Sequence, residues 1–143
     1  MLRVDLAVEH GMSLDPLLAA SPAIRFHVMA AVLAVVLGTL QLGSPKGTAR
    51  HRLVGYGWAG LMLIVAVSGF FIHTIRMIGP FSPIHILSLV ILVTVPLAVL
   101  KARRGDAVAH GKAMRNIFWI ALVGAGLFTL LPGRLMHQLL FGS

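Results

Sequence analysis

The sequence predicts an all-α fold: a four-transmembrane-helix bundle built from a tandem two-helix repeat, with both termini outside. Three observations carry that prediction. Of the 143 residues, 58% are hydrophobic and only 11% are charged, and the mean hydropathy is +0.94. A soluble domain of this size needs far more charge to cover its surface. Four apolar stretches, near residues 22–42, 54–75, 83–101 and 114–135, each approach the roughly 20 residues that cross about 30 Å of hydrocarbon. Finally, two of these stretches resemble one another. SPAIRFHVMAAVLAVVLGTLQL begins at Ser21 and SPIHILSLVILVTVPLAVL begins at Ser82. Each opens on Ser-Pro, places a histidine (His27, His85) early in an apolar run, and leads through a short basic loop to a second histidine. His51 follows His27 by 24 residues and His110 follows His85 by 25.

Residues 1–20 contain Asp5, Glu9 and Asp15 and lack a basic start followed by a long apolar core. They therefore read as an extramembrane segment, with a short interfacial helix, ahead of a membrane domain over 21–143, and no cleavable signal peptide is expected. The absence of cysteine excludes disulfides, thiolate metal sites, iron–sulfur clusters and covalent haem attachment. The net charge of +8 does not point to nucleic acid, because it is distributed by side. Lys46, Arg50 and Arg52 occupy one loop, and Lys101, Arg103, Arg104, Lys112 and Arg115 occupy the other. Arg3, Arg25, Arg76 and Arg134 are left for the opposite face. Positive charge accumulates on cytoplasmic loops, so the two basic loops are expected inside, where they anchor to anionic lipid.

In the first span His27, Ala31, Ala34, Gly38 and Gln41 form a stripe of small and polar residues, suited to close helix approach. Thr48 is the expected N-cap of the second helix. There the stripe runs His51, Gly55, Trp58, Met62, Ala66, Gly69, His73. His51 and His73 share a face to within about 40° but sit roughly 33 Å apart along the axis. Gly55, Gly57, Gly60 and Gly69 leave room for a neighbouring backbone or a flat ligand, and Tyr56 and Trp58 read as an interfacial aromatic belt. The short turn RMIGPFSP makes the second and third helices antiparallel neighbours. Ser82 is the expected cap of the third helix, Pro83 sits in its first turn, and Pro96 kinks it. Asp106 caps the fourth helix, whose inward face is His110, Met114, Ile117, Ala121, Gly124 and Phe128. Pro132-Gly133 ends or bends that helix, and RLMHQLLFGS trails along the outer surface, with His137 turned away from the His110 face.

The histidines sort by side. His27, His73, His85 and His137 fall near the outer face, His51 and His110 near the inner one, and His10 lies in the N-terminal segment. Alternate helices of a four-helix bundle face each other across its diagonal, so the repeat pairs His27 with His85 and His51 with His110. Two imidazoles on facing helices suit the iron of haem b, with small residues admitting the porphyrin. One or two haems are expected, with Arg25 and Arg134 outside and Arg52 and Arg115 inside to hold propionates. About fifteen residues, roughly 22 Å, separate the two levels. An interfacial histidine that meets headgroups and carbonyls needs no cofactor. That plainer explanation covers His10, His73 and His137, and it competes for His51 and His110. His27 and His85 lie in apolar runs, where an ionisable group is a functional candidate. Met62 and Met114 read as packing rather than ligands. There is no HExxH, P-loop or G-x-S-x-G motif, and no carboxylate within a span to relay ions or complete a zinc or copper shell.

HRLVGYGW with SGF, then GPFSPIHILSL, RRGDAVAHGKAM and AGLFTLLPGR, together resemble a family of uncharacterised bacterial four-helix membrane proteins, a domain of unknown function, over about residues 22–137. The histidine layout separately resembles the core of the cytochrome b561 family. That resemblance implies His27 and His85 on an outer haem and His51 and His110 on an inner one, although the outer helices of that family are missing. The functional expectation is a multi-pass cytochrome of the bacterial inner membrane, a possible membrane oxidoreductase. It would pass electrons to quinone, superoxide, ferric iron or a protein redox partner, surrounded by membrane lipid, in a bundle small enough to form a homodimer. The alternatives are a non-redox module that binds lipid, quinone or a protein partner, and a metal or proton permeation unit.

Overall fold

The computed structural model describes residues 14–72 and 83–141, and every regular element among them is helical. A five-residue helix, α1 (Asp15–Ala19), precedes three long ones: α2 (Pro22–Gly43), α3 (Ala49–Gly69) and α4 (Pro83–Arg103). These three are long and apolar enough to cross a membrane. The next helical stretch comes in three consecutive segments: α5 (Ala107–Asn116), a π-helix (Ile117–Gly124) and α6 (Ala125–Phe128). The backbone stays right-handed helical at both junctions. A short helix, α7 (Leu135–Phe141), follows and packs on α1.

The chain starts its helices where capping chemistry permits. Ser21, Thr48 and Asp106 accept backbone N–H bonds from Ile24, His51 and Ala109, so three sets of orphan donors are partly satisfied. Gly47 and Gly105 stand immediately before two of these caps with φ of +78° and +84°, a left-handed turn that glycine adopts without steric cost. The repeat is therefore visible in the backbone: α2, left-handed glycine, cap, α3, and again α4, left-handed glycine, cap, α5. The cap of α4 expected at Ser82 lies outside the described residues, as do His10, His73, Arg3 and Arg76.

Two expected spans shift. The second helix begins at Ala49 and ends at Gly69 rather than covering 54–75, because the cap at Thr48 draws Arg50, His51 and Arg52 into its first turn. The fourth begins at Ala107 and ends at Phe128 rather than covering 114–135, because Asp106 starts it early. The tail forms a helix. Between them Gly133 (φ +80°) turns the chain, so a rotation counted through one continuous helix cannot orient His137.

α2 packs on α3, α3 on α4, and α4 on α5, while the π-helix touches both α2 and α4 and closes the ring. α2 and α4 thus lie across one diagonal. The interior holds Ala34, Trp58, Met62, Ala66, Ile91, Val95, Phe118 and Leu122. Of the expected α2 stripe Ala34 and Gly38 are buried and His27, Ala31 and Gln41 half-buried, and Ala30 beside it is buried too. The surface between the polar ends is apolar, and hydroxyls there bond back to their own helices: Thr39 Oγ1 to the Val35 carbonyl (2.8 Å) and Thr94 Oγ1 to Val90 (2.7 Å). In hydrocarbon no water would satisfy them.

Three contacts correct the expectations. Trp58 is not in an interfacial belt: it is 5% exposed, and its indole N–H donates to the Ala34 carbonyl at 2.9 Å. Tyr56 does stand outside, accepting from Arg103 Nε at 3.2 Å. Gly57 and Gly60 admit no neighbour, whereas a Cβ on Gly38 would meet the Phe118 ring at 2.5 Å and Trp58 Nε1 at 2.7 Å. On the fourth helix Ile117, Phe118 and Leu122 are buried, while Gly124 and Phe128 are exposed. A π-turn holds more residues than an α-turn, so a face counted at 100° per residue leaves the interior within the π segment.

Candidate functional site

The histidines fall into two levels with different surroundings. At the outer level, His27 Nδ1 lies 2.9 Å from Ser68 Oγ on α3. Ser68 Oγ also donates to the Val65 carbonyl at 3.0 Å. Ser68 thus engages the His27 ring through Nδ1 and ties it to α3. His85 is 7% exposed, and its ring centroid stands 5.9 Å from that of Phe70. Both histidines therefore meet the same end of α3, one through Ser68 and the other through Phe70. They approach from helices on opposite corners of the bundle.

This level is built from small side chains. Ala30 of α2, Ala66 and Gly69 of α3 and Ser88 of α4 are buried, and Ser88 Oγ sits where a Cβ on Gly69 would fall. α6 packs mainly on the π-helix before it and buries none of its own residues. Ser68 was not among the expected site residues. It is the only serine or threonine of α3, and a lone hydroxyl in an apolar run is the signal that marks it.

At the inner level the rings are tied into the scaffold. Gln41 Nε2 is 2.6 Å from the His51 carbonyl and 2.8 Å from His51 Nδ1. The carbonyl requires the amide N–H₂ on that side, so His51 Nδ1 accepts and Nε2 carries the proton. His110 Nδ1 lies 2.8 Å from the Ala98 carbonyl and must donate to it, which leaves its Nε2 unprotonated. Around them the interior is filled by Trp58, Met62 and Phe118.

Among the expected propionate holders, Arg52 Nη1 bonds the Gly47 carbonyl at 3.0 Å, and Arg134 lies 4.5 Å above the Phe128 ring. Arg25 and Arg115 are exposed. Arg25 is about 200° around α2 from His27. Outside the two levels, His137 Nδ1 is 2.8 Å from the Leu130 carbonyl and its ring packs on Phe141. Among the described residues no group of three or more His, Asp or Glu side chains gathers as it would around a metal ion. That rules on shells of three ligands and leaves pairs open.

Residues 24–141 match the family described as predicted membrane protein, DUF2306. The chain belongs to this family. The match covers most of the chain and bears out the resemblance to a domain of unknown function. No curated protein matches, and neither does any solved structure. The likeness to cytochrome b561 therefore rests on the histidine layout alone.

Proposed function

We propose that this membrane protein binds one haem b in its outer half, through His27 on α2 and His85 on α4, and uses it for electron transfer in the bacterial inner membrane. In this reading the segmented helix from Ala107 to Phe128 is the fourth span, and the basic loops face the cytoplasm with both termini outside. The observation that carries it is the His27–Ser68–Val65 chain, which holds an imidazole by its Nδ1 inside an apolar span. Axial histidines are held in just this way, by a hydrogen bond to the other ring nitrogen that fixes the tautomer. The buried His85 on the diagonal helix supplies the second ring, and the small residues between them supply room.

Haem iron would contribute reversible one-electron chemistry. This chain's part is to orient two rings, exclude water and set the local charge. The inner pair is read as structural: Gln41 locks His51 in the tautomer that cannot ligate through Nε2, and His110 ties α5 to α4. Quinone, superoxide, ferric iron or a protein redox partner remain the acceptor classes.

The test is the absorption spectrum of protein purified after expression with ample haem. A Soret band and a reduced α-band are expected, and both should vanish in His27→Ala and in His85→Ala. Colourless wild-type protein sinks the proposal. A second, non-redox reading as a lipid- or quinone-binding module is favoured by a groove of about 410 Å³ between α2 and α3, walled by Phe26, Ile64 and Phe71 beside Ser68. In that case His27→Ala changes no spectrum but weakens retention of a co-purifying lipid or quinone.

A further inference from the structure

The cations at the inner end of the bundle divide into two groups. Lys46 donates to the Gln41 and Leu42 carbonyls, Arg52 to Gly47, and Arg103 to Tyr56. Arg50, Lys101, Arg104, Lys112 and Arg115 are exposed, with no ion pair among the described residues. Asp106 is the only acidic residue after Asp15, and its carboxylate caps Ala109. Among the described residues one carboxylate thus stands in this loop against many cations, and the loop keeps a net positive charge.

Two of them belong to an ordered stripe. Val108, Lys112 and Arg115 follow one another at four- and three-residue steps, which keeps them within about 60° on the surface of α5, and Trp119 follows in the first turn of the π-helix. Trp119 is 58% exposed. Its ring packs edge-on against Phe118 at 5.1 Å, and its indole N–H meets no acceptor among the described residues. The contrast with Trp58, whose N–H is spent inside the bundle, is direct. Below Trp119 the surface is apolar, with Ile120 and Leu127 both more than half exposed. From the polar end inward the stripe thus offers two cations, an indole donor one turn further along, and an apolar wall. Tryptophan prefers the membrane interface, and basic residues beside a span attract anionic headgroups.

We infer that this stripe is a binding site for one acidic phospholipid, its phosphate on Lys112 and Arg115 and an ester carbonyl on the Trp119 indole N–H. Lys101 and Arg104, across the α4–α5 corner, add to the field that favours an anionic over a zwitterionic headgroup. The site is independent of the haem reading.

The test uses the full chain in mixed micelles with phosphatidylglycerol or phosphatidylcholine carrying the same brominated chains, which quench tryptophan on contact. Trp119 fluorescence should be quenched at a lower mole fraction of the acidic lipid, and Trp119→Phe should remove the quenching. The preference, as a ratio of association constants, should fall about fivefold for each cation lost in Lys112→Gln and Arg115→Gln. It should survive in Lys112→Arg with Arg115→Lys, a control for folding. Unbrominated phosphatidylglycerol should compete and inorganic phosphate should not. Equal quenching by the two lipids, or a preference that persists in the double Gln variant, overturns the site. Competition by phosphate would instead mean a free-anion site and overturn it equally.

Discussion

The outer and inner halves of this bundle carry the same histidine pattern and treat it differently. The inner half is packed with large side chains, and Gln41 and the Ala98 carbonyl spend its two imidazoles on tying helices together. The outer half is lined by Ala30, Ala66, Gly69 and Ser88, and its His27 is held so that one nitrogen stays available. A duplicated motif therefore need not mean a duplicated site. What differs between the copies is the surroundings: small side chains near His27, and Gln41 holding His51.

The largest effect that would break this contrast is spectral. His27→Ala or His85→Ala should remove the whole haem absorbance, whereas His51→Ala and His110→Ala should keep it. An inner variant that removes half the absorbance would establish a second haem and erase the distinction drawn here. Next come the packing tests, read by thermal unfolding in detergent. Gly38→Ala drives a methyl against Phe118 and Trp58 and should cost about 1–3 kcal/mol, the usual range for overpacking. Gly69→Ala should cost less if the looser outer half can yield. Gln41→Ala removes both bonds to His51 and should cost about 1 kcal/mol, with the haem spectrum unchanged. The smallest effect is Gly60→Ala. Nothing lies near the new methyl, so stability should shift by less than about 1 kcal/mol, toward the variant, because alanine favours the helix.

Much of the fold was legible without coordinates. Thr48 and Asp106 marked helix starts because capping is a local bond between a side chain and an amide three residues on. The α2 stripe was legible because small residues at helical spacing have one use in a membrane bundle. Trp58 was misplaced because its position along the chain matches an interface. Only the register of α3 against α2 puts its N–H on the Ala34 carbonyl. The inward face of the fourth helix was misjudged beyond Ile117 because the count assumed an α-helical period, and no local pattern announced the π segment.

By itself the sequence determined that this chain lives in a membrane, that its helices come in two similar pairs, and that histidines mark both ends of those pairs. All three follow from composition, periodicity and spacing, which are properties of the chain taken in order. The tertiary structure alone decided what each imidazole meets. His27 meets Ser68, 41 residues away in sequence and 2.9 Å away in space.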